Sequence, residues 1–289
     1  MNSRRTAGIV YNPTISGAED LVTELTQRLG LADGALVCSV DDLERMNQDR
    51  LDVDLLITVG GDGTILRAVR IAAPHEVSIL GINMGHMGFM TELRAEDAAD
   101  SLDRYLADDL WIEERAMLQA QVVESDGATT DKVWHALNEA VVGSNAVARM
   151  ARIQVSIDET PLTVYRADSV IVATATGSTG YALSVGGPIL HPQSKDIQLK
   201  PVAAHLGLTS ALVLPATSKV ELTVLSDAPA MLSVDGHSDV HLSEGARVRV
   251  QASPYVARFL RAHEPSHHYA LLMQRLGLGP GDSTPRAIV

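Results

Sequence analysis

One stretch decides how the first half of this chain folds: Leu55-Leu56-Ile57-Thr58-Val59-Gly60-Gly61-Asp62-Gly63-Thr64. An apolar, partly β-branched run breaks into glycines, and apolar residues then recur at helical spacing from Ile65 to Ala72. This pattern predicts a buried strand, a tight turn and an amphipathic helix. Such glycines allow the backbone to approach a bulky anion, and the start of the helix adds free N–H groups and a positive dipole end.

Asp62 is the one side chain in this turn that does not suit a plain anion cradle. A carboxylate beside phosphates repels them unless it accepts a proton or binds a metal ion. We therefore expect Asp62 to act as a base toward a hydroxyl, as a magnesium ligand, or as both. The alternative is a turn without a ligand, since such turns are common and Asp often begins a helix. The turn is neither a Walker loop nor a G-x-G-x-x-G fingerprint.

The length and composition indicate two modest domains and limit the kinds of partner that the protein can have. The chain has 289 residues, 46% of them hydrophobic but only 3% aromatic, so its core must consist of Val, Leu, Ile and Ala. The formal net charge of −13 argues against nucleic acid or an anionic membrane as a main partner. Because Cys38 is the one cysteine and no long apolar run or signal-peptide core is present, we expect a cytoplasmic protein.

The pattern of the chain changes near residue 115. Before that point, short apolar runs alternate with helical patterns, which predicts an α/β domain at 1–115 with a parallel, Rossmann-like sheet. Residues 116–255 consist of short alternating segments between turn residues, which predicts an all-β sandwich. Residues 256–289 should hold a last strand, a short helix and a flexible tail.

Three later segments carry polar groups that a ligand can use. Asn83–Phe89 follows a predicted strand and contains two glycines three apart. Asn138-Glu139 interrupts an apolar run, and the pair can hydrogen-bond a ribose or an adenine edge. Tyr165–Pro188 contains an acid and an arginine before a strand that ends in hydroxyls, glycines and a tyrosine. Each segment also has a plainer interpretation, as a turn, an exposed bulge or a packed aromatic ring.

These motifs together resemble the NAD kinase family. Gly60–Thr64 is similar to the Gly-Gly-Asp-Gly-Thr signature of a superfamily that also contains lipid kinases and, more distantly, phosphofructokinases. The Asn138-Glu139 pair and the Tyr165–Pro188 run, followed by His191-Pro192, separate NAD kinases from the lipid kinases. The resemblance implies a two-domain kinase with its site in the cleft. It also implies a homodimer or homotetramer in which a neighbouring subunit contributes to the dinucleotide site.

The resemblance also implies roles for individual residues. Asp62 would be catalytic, and the donor phosphates would be bound by Gly60, Gly61, Gly63 and Thr64. The residues implied for NAD binding follow motif positions or, for the arginines, position and charge: Asp62, Gly63, Arg67, Asn138, Glu139, Arg149, Arg166, Asp168, Thr176, Thr179, Gly180, Tyr181, Ala182, Leu183, Ser184 and His237. No protein ligand for a metal ion is firmly implied.

The predicted reaction transfers a phosphoryl group from ATP or polyphosphate to the 2′-hydroxyl of the adenosine ribose of NAD, giving NADP. Asp62 would accept the hydroxyl proton, while Mg²⁺ or another divalent ion and the glycine N–H groups hold the donor phosphates. One alternative is a non-catalytic NAD(P) sensor, because 203–211 and His237 depart from the family pattern. A second alternative is a lipid or sugar kinase with the same fold, which would need an apolar or open pocket for its acceptor.

Overall fold

A computed structural model describes residues 5–31, 35–46, 51–85, 88–106, 110–146, 149–205, 208–225 and 229–276. Up to residue 123 the elements are β1 (Ala7–Tyr11), α1 (Ala18–Leu29), β2 (Val37–Ser39), α2 (Val40–Arg45), β3 (Leu55–Gly60), α3 (Asp62–Ala72), β4 (Ser78–Asn83), β5 (Leu93–Arg94), α4 (Ala95–Leu106) and β6 (Trp111–Val123). No helix in the described ranges is long and apolar enough to cross a membrane.

The remaining elements are mostly strands, which fits the change of pattern in the sequence. They are β7 (Thr129–Ala136), β8 (Glu139–Ser144), β9 (Ala151–Ile157), β10 (Thr160–Ala167), β11 (Ser169–Ala173), α5 (Tyr181–Ser184), β12 (Ile197–Val202), β13 (Leu212–Leu214), β14 (Val220–Val224), β15 (Ala230–Val234), β16 (Ser238–Leu242), β17 (Arg247–Arg261) and α6 (His267–Arg275). The chain divides into two compact units, residues 1–114 with 257–289, and residues 115–256.

The first unit contains a parallel sheet with strand order β17-β4-β3-β1-β2. Every residue of β3 and of β4 is buried, as expected for strands covered on both faces. Helices α1 and α4 cover one face, where Leu25 and Leu102 share a core with Ile57. Helix α3 covers the other face, and a Cβ on Gly81 would lie 2.6 Å from Cδ1 of Ile65. The predicted α/β sheet is confirmed.

The second unit packs two antiparallel sheets around one core. The first sheet runs β10-β9-β14-β17 with β6 and β7 beside β17, and the second runs β13-β12-β11-β8-β15-β16. Leu118, Val155 and Leu222 from the first sheet share a buried cluster with Val142 and Leu232 from the second. The predicted β-sandwich is confirmed.

The C-terminal segment differs in one respect from the prediction. The sequence predicts separate strands at 246–252 and 253–261, whereas the structure has one strand, Arg247–Arg261, of 15 residues. The predicted short helix is present as His267–Arg275. The predicted flexible tail from Gly277 onward lies outside the described residues.

Candidate active site

The glycine turn forms the junction that the sequence predicts. Strand β3 ends at Gly60, and α3 begins at Asp62. A Cβ on Gly60 would lie 2.2 Å from Oγ1 of Thr64, so only glycine lets the helix start this close to the strand. A Cβ on Gly61 or Gly63 would meet no atom within 4 Å. The backbone at these two positions therefore faces open space, and the first N–H groups of a helix have no acceptor inside it.

The carboxylate of Asp62 is held by the backbone of a second loop. The N–H of Phe89 donates to Oδ2 (2.9 Å) and the N–H of Met90 donates to Oδ1 (3.2 Å). Gly88 makes room for this contact, since a Cβ there would lie 1.9 Å from Oδ1 of Asp62. The N–H of Gly88 in turn donates to the hydroxyl of Thr91 (2.9 Å). These contacts give the Asp62 side chain a fixed position at the start of α3.

The second glycine segment lies beside the first because β3 and β4 are neighbours in register. Gly60 pairs with Asn83, and the N–H of Met84 donates to the carbonyl of Gly60 (3.1 Å). Nδ2 of Asn83 donates to the carbonyl of Gly85 (3.0 Å), which closes the turn after β4. His86 and Met87, the middle of the predicted segment, lie outside the described residues.

The remaining candidates in this unit are Thr64 and Arg67, and neither side chain forms a hydrogen bond with Asp62. The hydroxyl of Thr64 is buried and has no hydrogen-bond partner among the described residues. The guanidinium of Arg67 contacts α2 instead, with Nη2 donating to Asp41 (2.5 Å) and Glu44 (2.5 Å). The hydrogen bonds from Arg67 to Glu44 and Asp41 raise the pKa of Arg67 above its ordinary value. Arg67 is thus engaged in joining α3 to α2.

In the second unit, the Asn138-Glu139 pair sits at the start of β8, and a residue that the sequence analysis did not select holds it there. Asp235 accepts backbone N–H bonds from Leu137 (2.8 Å), Asn138 (2.8 Å) and Glu139 (3.1 Å). Asp235 and Gly236 are the first two of the three residues that connect β15 to β16, with φ of 50° and 66°. An Asp-Gly pair between two strands is a strong hairpin signal, so the turn itself was detectable in the sequence.

The Glu139 carboxyl is buried, and the described residues place no counter-charge beside it. The residue is 9% exposed, and its Oε2 has no hydrogen-bond partner among the described residues. Burial, together with the negative charge of Asp235, raises the pKa of Glu139 to about 8. Thr176 is also buried, and its Oγ1 likewise has no partner in the described part of the chain. Buried polar atoms are normally satisfied, so these two unpartnered oxygens make Glu139 and Thr176 candidate contacts for a polar ligand.

The hydroxyl-rich segment after β11 packs directly on the Asn138-Glu139 pair. The hydroxyl of Thr174 donates to the carbonyl of Leu137 (2.6 Å), and the N–H of Thr174 donates to the carbonyl of Asn138 (2.9 Å). A Cβ on Gly177 would lie 2.2 Å from that Asn138 carbonyl oxygen, and a Cβ on Gly180 would lie 3.3 Å from Oε2 of Glu139. The two stretches, far apart in sequence, thus form one polar patch.

Thr179 and α5 continue this patch toward the surface. The hydroxyl of Thr179 donates to the carbonyl of Thr176 (3.0 Å), and that of Ser184 to the carbonyl of Tyr181 (2.8 Å). Ala182 is fully buried and Leu183 partly buried, whereas Tyr181 is 42% exposed. The exposed Tyr181 ring is available to stack on a ligand, a use that packed tyrosines lack.

The other predicted NAD contacts are exposed. The side chains of Arg149, Arg166, Asp168 and His237 are all on the surface of the second unit, and within the described ranges no hydrogen bond or ion pair joins them to another side chain. His237 closes the β15–β16 hairpin through its N–H, which donates to the carbonyl of Val234 (3.0 Å). In the described residues no group of three or more His, Cys, Asp or Glu side chains is arranged to hold a metal ion.

Comparison with known proteins places the chain in a family. A family model described as the ATP-NAD kinase N-terminal domain matches residues 39–110, and one described as the ATP-NAD kinase C-terminal domain matches residues 137–262. The NAD kinase of Dehalococcoides mccartyi (strain CBDB1) is 40% identical over 270 residues, which cover 93% of this chain and 95% of that protein. The chain belongs to the NAD kinase family.

Other members and solved structures agree with this assignment to a family of phosphotransferases. The NAD kinase of Chloroflexus aggregans (strain MD-66 / DSM 9485) is 38% identical over 270 residues, 93% of this chain and 97% of that one. An NAD kinase from Archaeoglobus fulgidus in complex with ATP has a TM-score of 0.72 and 26% identity, covering 93% of this chain and 97% of that chain. Yeast NADH kinase complexed with NADH has a TM-score of 0.83 over 100% of this chain and 91% of that chain, and at 21% identity it shares the fold.

Within this member of the NAD kinase family, sequence reasoning missed the groups that hold the candidate side chains. Asp235 supports Asn138-Glu139, and the N–H groups of Phe89 and Met90 support Asp62. The sequence signals for these supports were the Asp-Gly hairpin turn and the two glycines of Asn83–Phe89. Neither identifies the donor, because a backbone N–H is present at every residue but proline.

Proposed function

We propose that this chain transfers a phosphoryl group from ATP or polyphosphate to the 2′-hydroxyl of the adenosine ribose of NAD, giving NADP. The observation that carries the proposal is the position of Asp62, fixed at the start of α3 beside the open backbone of Gly61 and Gly63. Each Asp62 oxygen accepts one N–H bond and keeps a second lone pair. That lone pair is available to accept the proton of the acceptor hydroxyl.

The donor phosphates would be bound at Gly60–Thr64 by backbone N–H groups other than that of Thr64, which donates to the carbonyl of Gly61 (3.0 Å). Their negative charge would be favoured by the N-terminus of α3. Mg²⁺ or another divalent ion fits the chemistry of this turn, because it prefers one or two carboxylates plus substrate phosphates, and Asp62 supplies a carboxylate oxygen. Such an ion neutralises charge on the transferring phosphoryl group. The relative from Archaeoglobus fulgidus, solved in complex with ATP, supports ATP as the donor.

The second unit would hold NAD through its polar patch. The patch offers the amide of Asn138, the buried carboxyl of Glu139 and the buried hydroxyl of Thr176, on two loops that pack together. Oε2 of Glu139 and Oγ1 of Thr176 have no hydrogen-bond partner in the described structure. Tyr181 offers an exposed ring and Asp168 an exposed carboxylate. Such groups suit the ribose and base of a dinucleotide better than a lipid or a simple sugar. Arg149, Arg166 and His237 remain candidate contacts on the same unit.

The decisive experiment is NADP formation by the purified protein with NAD, Mg²⁺ and ATP, with polyphosphate in a parallel reaction. In Asp62→Asn we expect NAD binding to persist while kcat falls by roughly 10²- to 10⁴-fold, the usual contribution of a general base. Asp20→Asn, the same change at an exposed position on α1, serves as the control and should keep full activity.

Two results would contradict the proposal in different ways. Near-normal turnover of Asp62→Asn would remove the base role from Asp62. Absence of NADP in both reactions, with NAD still bound, would favour the sensor interpretation.

We further propose that the protein works in the cytoplasm as a homodimer or homotetramer that binds small nucleotides, with no nucleic acid and no membrane as partner. The support is the family assignment and the net charge of −13. Light scattering on the purified protein measures the assembly directly, and a monomeric mass at micromolar concentration would contradict it.

A further inference from the structure

Asp235 is a buried carboxylate of the second unit that accepts three backbone hydrogen bonds. It is 5% exposed, and its two oxygens accept the N–H groups of Leu137, Asn138 and Glu139. Its own N–H donates to the carbonyl of Glu139 (3.0 Å). The hairpin turn and the start of β8 are therefore joined in both directions by hydrogen bonds, several of them to a charged acceptor.

We propose that Asp235 is a positioning residue that sets the Asn138-Glu139 pair for its ligand and keeps the Glu139 carboxyl in the neutral, hydrogen-donating form. This inference rests on the proposed binding of NAD by the second unit. Asp235 itself need not touch the ligand.

The positioning part follows from the bonding geometry. Oδ1 accepts from Asn138 and Glu139, and Oδ2 accepts from Leu137. An Asn side chain has one acceptor oxygen and one NH₂ group, so at position 235 it must turn a donor toward a backbone donor. At least one buried N–H would then lose its acceptor, and the main chain that carries the pair would shift.

The protonation part follows from what surrounds Glu139. Gly180 from the loop after β11 and the neighbouring Asn138 amide lie near its carboxyl, and neither carries a charge. Within the described part of the chain, the charge that acts on Glu139 is that of Asp235, and it adds to the effect of burial in raising the pKa of Glu139 to about 8. At neutral pH Glu139 is then mostly protonated.

A neutral carboxyl serves a dinucleotide in two ways. It can donate one hydrogen bond and accept another, whereas a carboxylate only accepts. It also avoids placing a second negative charge beside a ligand that carries a diphosphate. NAD affinity should therefore be constant below about pH 8 and fall above it, as Glu139 ionises.

The test compares the pH dependence of NAD binding in the wild type, in Asp235→Asn and in Asp239→Asn. The last variant makes the same chemical change at an exposed position of the same hairpin. For Asp235→Asn we expect KM for NAD to rise roughly 10- to 100-fold, with a smaller change in kcat. We also expect the alkaline fall in NAD affinity to move to lower pH, because removing a negative neighbour lowers the pKa of Glu139. Asp239→Asn should match the wild type.

If Asp235 has a purely structural role, Asp235→Asn raises KM for NAD but the alkaline fall in NAD affinity stays at the same pH. That result overturns the protonation part. Wild-type KM in a folded Asp235→Asn, checked by thermal unfolding, overturns the whole inference. Because this variant can fail to fold, Glu139→Gln gives a second test that leaves Asp235 in place. It fixes the neutral state, so the alkaline fall should disappear, and persistence of the fall contradicts the inference. If the wild type neither binds nor phosphorylates NAD, the proposed function and the inference that rests on it both fail.

Discussion

The absence of a side chain at Gly88 leaves the space that the carboxylate of Asp62 occupies. The α-carbon of Gly88 faces the carboxylate of Asp62 so closely that a methyl group there would overlap Oδ1, at 1.9 Å. The atom in the way belongs to the end of a side chain, so the backbone can stay in place while the carboxylate moves. A substitution at Gly88 therefore separates the position of Asp62 from the stability of the fold.

We predict that Gly88→Ala lowers kcat about 100-fold or more while shifting the melting temperature only slightly, because Asp62 must leave its two N–H donors. Steady-state kinetics and thermal unfolding measure the two effects. Gly85→Ala is the comparison, since a Cβ there meets no atom within 4 Å. A loss of kcat that is equal in the two variants would show that the loop, not the position of Asp62, determines the rate.

Single residues also show what the sequence could and could not reveal. The motifs pointed to Asp62, Asn138 and Glu139 as a set of polar groups, because glycines and polar pairs stand out from apolar runs. The pairing of Arg67 with Asp41 and Glu44 was not visible, since the partners lie on a different helix and any exposed arginine has the same local pattern. A side chain's partner is a property of tertiary packing, which one segment does not encode.

At the scale of elements, the helices and buried strands were predicted well. Helix α1 occupies Ala18–Leu29, where Leu21, Leu25 and Leu29 recur at helical spacing and are buried. The strands that the sequence analysis did not single out include β7, β10 and β16, which carry many polar residues on an exposed face. Their stability comes from pairing with neighbours distant in sequence, so local propensity was a poor guide.

Arg261 of strand β17 forms a buried ion cluster in the first unit. Arg261 donates to Glu113 (2.8 Å) and to Glu92 (3.2 Å), and Tyr105 donates its hydroxyl to Glu92 (3.0 Å). Arg261 and both of its carboxylate partners are less than 10% exposed. The cluster joins β17, β6 and the segment before β5.

We predict that Arg261→Met lowers the free energy of unfolding by about 3–5 kcal/mol, because it removes the buried guanidinium that pairs with two buried carboxylates. Urea denaturation measures the loss. Arg249→Met is the matched control, the same change on the same strand at a side chain that is 52% exposed and paired with Glu221. An exposed pair of this kind is worth less than about 1 kcal/mol. Equal losses in the two variants would contradict the importance of burial.

At the scale of the whole molecule, the first unit is built from two separate pieces of chain. Residues 1–114 provide most of it, and the segment from Ala257 completes it. Arg258 and Phe259 pair with Ser78 and Ile79, and Phe259 is fully buried. The sequence predicted a last strand here, but it could not show which sheet that strand joins, because strand pairing depends on chain topology.

We predict that a chain ending at Val256 loses the structure of the first unit, since β4 then lacks its β17 neighbour and Glu92 lacks Arg261. Limited proteolysis should cut residues 5–114 rapidly and leave 115–256 protected. A chain ending at Ala262, which keeps β17 but not α6, is the control and should resist cleavage in both units. Similar protection of both units in the shorter chain would show that β17 is dispensable for the first unit.

The divided first unit has a consequence for how the protein is made. Residues 1–114 leave the ribosome first. Phe259 can pair with Ile79 only after residues 115–259 have also been synthesised. The sandwich, contained in residues 115–256, can finish folding during that interval, so the part synthesised first is completed last. Until then the start of β4, at Ser78 and Ile79, lacks its β17 neighbour, and an apolar strand edge of this kind is open to mispairing and to chaperones.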